Sequence, residues 1–232
     1  MTTPPTSFGV LLFPGFQALD VFGPLDILNV LSYNHPITLS IIASALSPVS
    51  TLPPPEYVDY PSLFTQSHIT SQSIVPTHTI ATAPSSLEVL IVPGGYGTRA
   101  PLTEELELIR TRFPSLRYIF SVCTGSVLLA RAGVLDGKKA TSNKKAWDWV
   151  KTQGEGKVEW VQKARWVEDG MCWTTSGITA GIDGFLALVE KEWGRETADG
   201  IAAGMELERK RDWREDVWAG FWEGERRKAA EA

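Results

Sequence analysis

Short apolar runs recur along this chain of 232 residues, and turn residues follow the first of them. A run that is apolar throughout, rather than alternating with polar residues, is typical of a strand buried on both faces of a parallel sheet. The pattern predicts strands at Phe8 to Phe13, Ile37 to Ala43, Glu88 to Val92, Arg117 to Val122, Val158 to Val161, Ala164 to Val167 and Met171 to Thr175.

Stretches with helical spacing separate many of these runs. Alternation of strands and helices favours a parallel sheet covered on both faces, in one α/β domain over residues 1–204. The helices are expected at Ala18 to Leu31, Thr103 to Phe113, Thr124 to Ala132, Lys145 to Lys151 and Gly177 to Trp193. The Pro-rich segment Leu46 to Phe64 is predicted to be an irregular surface insertion, followed by short β-ribbons over Ser67 to Thr82.

Residues 205–232 are predicted to form a charged helical extension. Trp213, Val217 and Phe221 recur there every fourth residue, with Trp218 and Trp222 beside them. This spacing predicts an amphipathic helix that docks on its own domain or on a second subunit.

Composition narrows the classes of partner. Acidic residues exceed basic ones, with a net charge of −5, whereas a nucleic-acid surface needs a clustered basic excess. The apolar run at the N-terminus is too short for a signal sequence or a membrane span. The two cysteines form no C-x-x-C pair, and no set of ligand residues has metal spacing. We therefore expect a cytoplasmic protein with reduced thiols, without nucleic acid, membrane or metal.

Cys123 stands at the strongest local signal for chemistry. A predicted strand ends at this cysteine, and the small residues Thr124, Gly125 and Ser126 open a helix directly after it. Such a turn is a nucleophile elbow, which lifts the side chain out of the sheet. The nearby helix N-terminus is predicted to favour the thiolate. The alternative is a buried structural cysteine that packs as a small apolar residue.

Two further strand ends carry candidate site residues. Gly94 and Gly95 form a turn whose backbone can enter the crevice, and the N–H groups of Gly95 and Thr124 are predicted to hold an oxyanion together. Asp20 lies among apolar residues in the first turn of the first helix, so burial should raise its pKa and suit it to proton exchange with a thiol. The alternatives are a simple tight turn and an acid that only satisfies a helix end.

Four segments together resemble the ThiJ/PfpI superfamily, in that family's order and over the chain from about Phe8 to Trp193. Asp rather than Glu at position 20, Cys-Thr-Gly at the elbow and the motif G-I-T-A-G-I-D most resemble the isocyanide (isonitrile) hydratase branch. The segments are Phe13 to Leu28, Leu90 to Gly95, Ser121 to Gly137 and Thr175 to Asp183.

The resemblance implies a flavodoxin-like, doubly wound, mainly parallel sheet with helices on both faces, of the class I glutamine-amidotransferase-like type, and a homodimer. It further implies a cofactor-free, cysteine-dependent conversion of an isocyanide into an N-substituted formamide. In that scheme Cys123 is the nucleophile, Asp20 moves the proton, and Thr124, Gly94 and Gly95 orient the bound small molecule.

Departures from the family leave other activities open. Thr124 replaces the histidine of the protease-like branch, and Asn143 stands where deglycases often have histidine. Because the histidines of this chain lie far upstream, at His35, His68 and His78, a Cys–His dyad is not expected. The alternatives are glyoxalase-III-like or deglycase activity on 2-oxoaldehydes, and a thiol redox sensor or chaperone.

Overall fold

The computed structural model describes residues 3–53, 55 and 70–231. The predicted strands and helices outside the Pro-rich insertion, the segment Ser67 to Thr82 and the extension are confirmed, with ends that differ by a few residues. The β-ribbons predicted over Ser67 to Thr82 form only in part. Ser73–Ile74 pairs with Val49–Ser50, whereas His78–Thr79 runs parallel to Thr38–Ala43 in the main sheet, and residues 67–69 lie outside the described part of the chain. The strands are β1 (Ser7–Leu11), β2 (Thr38–Ala43), β3 (Val49–Ser50), β4 (Ser73–Ile74), β5 (His78–Thr79), β6 (Val89–Val92), β7 (Tyr118–Ser121), β8 (Lys139–Ala140), β9 (Glu159–Trp160), β10 (Trp166–Asp169) and β11 (Cys172–Thr175). The helices are α1 (Ala18–Leu31), α2 (Thr103–Arg112), α3 (Gly125–Arg131), α4 (Trp147–Lys151), α5 (Ala180–Trp193), α6 (Arg195–Gly204) and α7 (Val217–Glu231).

The main sheet has the strand order β10-β11-β7-β6-β1-β2-β5. All neighbouring strands in it are parallel except the edge strand β10, which runs antiparallel to β11. Every residue of β6 and β7 is buried, as the unbroken apolar runs predict. The mainly parallel, doubly wound sheet is therefore confirmed.

Helices cover the sheet in two packed groups. One group contains α1, α5 and α6, and α5 also packs against β10 and β11. The other contains α2 and α3, and α3 also packs against β6 and β7. Under α5, the Phe120 and Phe185 rings meet edge to face with centroids 5.1 Å apart. Because helices cover both faces of the sheet, a ligand-binding site is expected at the carboxyl ends of the central strands.

The strand order reverses between β1 and β6. From β1 the chain builds outward through β2 and β5, whereas β6, β7 and β11 lie on the other side. In open α/β sheets such a reversal separates the connections that follow the two strands, and a crevice opens at their carboxyl ends. Asp20 follows β1, Gly94 follows β6 and Cys123 follows β7, so the fold brings all the predicted site residues to this crevice.

The Pro-rich insertion and the extension differ from the sequence prediction. Val49–Ser50 of the insertion pairs with Ser73–Ile74 as a small antiparallel sheet, while residues 54 and 56–64 lie outside the described part of the chain. Helix α6 was not predicted separately. Helix α7 begins at Val217, so Trp213 lies outside it. It begins there because the Asp216 carboxylate accepts the Trp218 N–H at 3.1 Å, as a capping residue does. No helix in the described ranges is long and apolar enough to cross a membrane.

Candidate active site

Cys123 occupies a sharp turn between β7 and α3. Its φ of +58° lies in the left-handed region, which costs free energy for a residue with a side chain. Its backbone is held on both sides: Cys123 N–H donates to the Ser176 carbonyl at 3.1 Å, and the Ser142 hydroxyl donates to the Cys123 carbonyl at 2.9 Å. Two residues after Cys123 the chain requires a glycine, because a Cβ on Gly125 would lie 2.2 Å from the Val92 carbonyl oxygen. The structure thus has the strand-to-helix elbow that the sequence predicts.

Asp20 is fully buried in the first turn of α1. Its Oδ2 accepts the Gly94 N–H at 2.9 Å. Within the described residues, its Oδ1 has no regular hydrogen-bond partner, although the Cys123 thiol is close enough to interact with the carboxyl group. A Cβ on Gly94 would lie 2.6 Å from Thr124 N and 2.9 Å from Asp20 Oδ2, so glycine permits this close approach.

Burial dominates the titration of Asp20 and Cys123. It raises the pKa of Asp20 to about 7, against the opposing hydrogen bonds from Gly94 and the thiol. Burial first, and then the charge of Asp20, raise the pKa of Cys123 to about 12. The two groups interact and titrate as a pair, which holds one proton between these pH values. The Thr124 N–H at the start of α3 does lower the pKa of the thiol, but desolvation outweighs it, so the net shift is upward and the predicted preference for the thiolate is not found.

Three donors surround the sulfur atom. Asn143 Nδ2 lies 3.2 Å from Cys123 Sγ, and the Thr124 and Ile178 N–H groups also hydrogen-bond to it and lower the pKa of the thiol. The Asn143 amide is oriented by its own acceptor, since Asn143 Oδ1 accepts the Ala146 N–H at 3.0 Å. When the shared proton moves to Asp20, these donors stabilise the resulting thiolate.

Thr124 links the elbow to the glycine turn. Gly95 N–H donates to Thr124 Oγ1 at 3.0 Å, and the Thr98 hydroxyl lies 3.2 Å from the same oxygen. The structure thus places Thr124, Gly94 and Gly95 beside Cys123 and Asp20. In this arrangement, however, the Gly95 N–H already has a partner. A joint oxyanion site of Gly95 and Thr124 therefore stays a prediction.

A cavity of about 360 Å³ opens above the thiol. None of the histidines in the described residues lines it, because His78 lies in edge strand β5 and His35 packs beside Trp193. His68 lies outside the described residues. Those residues also hold no cluster of His, Cys, Asp and Glu suited to a metal ion. The cavity is lined by Gln17, Gly95, Tyr96, Arg99, Cys123, Thr124, Asn143, Lys145, Ala146 and Ile178.

The second cysteine lies in a different environment. Cys172 is buried in β11, and its Sγ lies 3.9 Å from the Val134 carbonyl oxygen. Burial raises its pKa to about 11, close to that of Cys123. The pKa therefore does not distinguish the two thiols. Access does, because Cys123 lines the cavity and Cys172 does not.

Several residues of the cavity were not predicted from the sequence. Asn143 was noted in the sequence only as a departure from the deglycase pattern, and its bond to the thiol was not predicted. Ile178 has no signal in the sequence: its N–H reaches the sulfur because the backbone adopts a φ of +44°. Tyr96 and Arg99 follow the glycine turn in a 3-10 helix, and nothing in their local pattern indicated a cavity wall.

Behind the cavity, Lys144 forms a buried ion pair with the extension. Its Nζ lies 3.4 Å from Asp216 Oδ2, and both side chains are buried. Arg226 of α7 also donates to the Lys144 carbonyl at 2.9 Å. The extension therefore docks on its own domain, directly behind the segment that carries Asn143.

Comparisons with known proteins agree with this architecture. The model of the DJ-1/PfpI family matches residues 7–191. An isonitrile hydratase of Pseudomonas putida is 36% identical over 201 residues, covering 85% of this chain and 77% of the relative. A deglycase of Pyrococcus horikoshii is 35% identical over 101 residues, covering 43% of this chain and 58% of that protein. The solved structure of a ThiJ/PfpI family protein from Pseudomonas syringae, 29% identical, superposes with a TM-score of 0.70 over 90% of this chain and 78% of that one. The chain belongs to the DJ-1/PfpI family.

Proposed function

We propose that the protein is a cysteine-dependent hydratase that converts an isocyanide into an N-substituted formamide without a cofactor. The observation that carries the proposal is the buried Asp20 carboxyl in contact with the Cys123 thiol, beneath a small cavity and with three donors at the sulfur. The similarity to an isonitrile hydratase supports the choice of substrate. Nucleophile and proton carrier both come from this chain, so the reaction needs only water besides the substrate.

In the first step, the Cys123 sulfur bonds to the terminal carbon of the isocyanide. The lone pair of that carbon takes the shared proton, which gives a covalent thioimidate, S–CH=N–R. Asp20 remains as a carboxylate beside the adduct. Because its Oδ1 has no other regular partner within the described residues, Asp20 is suited to bind the incoming water.

In the second step, water adds to the thioimidate carbon while Asp20 accepts one of its protons. The tetrahedral adduct then expels the sulfur, the nitrogen gains a proton, and the formamide leaves. The thiol regains its proton, so the balance is one isocyanide plus one water to one formamide. The Thr124 hydroxyl and N–H orient the adduct in this scheme.

Product assays with para-nitrophenyl isocyanide and methylglyoxal test the proposal. The wild type should form the formamide, Cys123→Ala should not, and the matched control Cys172→Ala should keep the activity. Formamide production by Cys123→Ala would overturn the proposal.

A second candidate is deglycase or glyoxalase activity on 2-oxoaldehydes with the same thiol. The similarity to a deglycase favours it, whereas Asn143 in place of histidine disfavours it. Loss of methylglyoxal that depends on Cys123, without isocyanide turnover, would establish this candidate instead. Turnover of neither compound, with ready oxidation of Cys123 by peroxide, would favour a redox sensor.

We also infer a homodimer, as the family resemblance implies. Helix α7 leaves Val217, Trp218 and Phe221 exposed, although the helix is docked through its other face. An aromatic surface of this kind is typical of an interface. Phe221→Glu should weaken the dimer in sedimentation, while the exposed change Arg227→Glu on the same helix should not. A dimer unchanged by Phe221→Glu would remove α7 from the interface.

A further inference from the structure

The wall of the cavity above Cys123 carries charge of one sign. Its charged side chains in the described part of the chain are Arg99 and Lys145, and no Asp or Glu lines it. A cleft lined by charges of one sign concentrates ligands of the opposite sign. The protein as a whole carries a net charge of −5, so this cationic wall is a local feature.

Arg99 is held by aromatic rings rather than by an acid. Its guanidinium carbon lies 4.3 Å from the centre of the Trp149 ring and 5.0 Å from that of Tyr96. No carboxylate of the described residues forms an ion pair with it. Stacking fixes the plane of the guanidinium while leaving N–H donors at its edge, an arrangement suited to two parallel bonds with a carboxylate. Arginine stays charged even where burial lowers its pKa, as it does here.

Lys145 supplies the second charge. Its ammonium lies 5.7 Å from the centre of the Trp222 ring, and it too forms no ion pair with a described carboxylate. The preceding residue, Lys144, shows the opposite arrangement, since Asp216 and neighbouring oxygens engage it fully. Of these consecutive lysines, one is used inside the protein and the other faces the cavity.

We propose that the substrate of Cys123 carries an anionic group, such as a carboxylate, which Arg99 binds with the help of Lys145. The reacting carbon then lies at the sulfur and the acid group at the cavity wall. For an isocyanide substrate this rests on the proposed function, whereas the preference for anions is a property of the cavity alone.

Alkylation of Cys123 tests the anion site without any turnover. Iodoacetate and iodoacetamide both alkylate sulfur through a CH2 group, with iodide as the leaving group. They differ only in that iodoacetate carries a carboxylate where iodoacetamide carries a neutral amide. In the wild type, the ratio of the iodoacetate rate to the iodoacetamide rate at Cys123 should exceed the ratio for glutathione by about 10-fold or more. Arg99→Gln should remove most of that excess, and Lys145→Gln should remove a smaller part.

Arg110→Gln is the matched control, because it changes the net charge equally. Arg110 lies in α2, pairs with Glu107 and does not line this cavity. Mass mapping assigns each adduct to Cys123 or Cys172. A wild-type ratio equal to that of glutathione, or a ratio that Arg99→Gln leaves unchanged, would overturn the proposal.

Turnover of two isocyanides, one with and one without a carboxylate, tests the anion site and the hydratase function separately. The ratio of kcat/KM for para-isocyanobenzoate to that for phenyl isocyanide should fall about 10-fold or more in Arg99→Gln. Equal turnover of the two compounds, unaffected by Arg99→Gln, would contradict the anion site and leave the hydratase function standing. Turnover of neither compound, with the alkylation preference intact, would contradict the hydratase and support the anion site.

Discussion

Two buried ionisable pairs lie on either side of one short segment. Asn143 touches the first, Asp20 with Cys123, and the next residue, Lys144, forms the second with Asp216. Burial acts on both pairs: it raises the pKa of Asp20 to about 7 and lowers the pKa of Lys144 to about 8. The pairs differ in the partners of their buried groups and in their access to the cavity.

Lys144 is fully engaged. Besides Asp216, its ammonium donates to Thr141 Oγ1 at 2.6 Å, to the Ser142 carbonyl at 2.9 Å and to the Ala164 carbonyl at 3.0 Å. Asp20, in contrast, receives only the Gly94 N–H and shares its proton with a thiol. Each carboxylate keeps one oxygen without a regular hydrogen-bond partner in the described residues, Oδ1 in Asp20 and Oδ2 in Asp216. Access separates the pairs: Cys123 lines the cavity and can exchange protons with a ligand there, whereas Lys144 and Asp216 do not line it. We therefore expect Asp20 to take part in the chemistry and Asp216 to stabilise the fold.

The largest expected effect is on activity, in Asp20→Asn. The amide keeps the size of the side chain but cannot take the shared proton, so turnover should fall by about 10²- to 10⁴-fold. Isocyanide hydration measured beside Asp26→Asn provides the check, because Asp26 lies on the exposed side of the same helix. Full activity in Asp20→Asn would reduce Asp20 to an acid at a helix end.

The next effect is on stability, in Asp216→Asn. Removing one partner leaves the Lys144 charge buried and unpaired, which should lower the free energy of unfolding by about 3–5 kcal/mol in urea titrations. The double variant Lys144→Met with Asp216→Leu should recover much of that loss, since it removes both charges. Glu225→Gln, which breaks the exposed pair with Lys228, should change the stability by less than about 1 kcal/mol. If Asp216→Asn lowered the free energy of unfolding no more than Glu225→Gln does, the buried pair would not stabilise the fold as proposed.

A smaller effect is the pH dependence of stability that Asp20 imposes. Its pKa rises from 3.8 in the unfolded chain to about 7 in the fold, so the unfolded chain releases the proton first. Ionisation therefore favours unfolding as the pH rises across this window. Asp20→Asn should match the wild type near pH 4 and be more stable by roughly 2–4 kcal/mol above pH 7. A constant difference between the two proteins across this range would contradict the raised pKa.

Much of the fold was predictable because its signals are local. Strands such as β6 and β7 are apolar throughout, and the spacing in α1 and α5 is helical, so each element is encoded within its own residues. Helix α6 was missed because it follows α5 after the single residue Gly194, without an apolar run of its own to mark it.

The site was predictable only in part. Cys123, Asp20 and the glycine turn each end a strand, and the sheet order then brings them together. The contact between Lys144 and Asp216 joins residues far apart in sequence, and no local pattern indicates such a pair. The rise in the pKa of Cys123 was also missed, because it depends on how deeply the finished fold buries the thiol.

The smallest effect belongs to Asn143, whose Nδ2 lies 3.2 Å from the sulfur. Asn143→Ala removes one of three donors to the thiolate, so the pH profile of Cys123 alkylation should move upward by about one unit, as expected for the loss of about 1.4 kcal/mol. Gln17→Ala is the control, since Gln17 lines the same cavity and no hydrogen bond from it to the sulfur is found in the described residues. A residue that only supported the segment before α4 would alter stability and leave the profile in place. If the pH profile of Cys123 alkylation were the same in Asn143→Ala as in the wild type, Asn143 would have only a structural role, as Lys144 has.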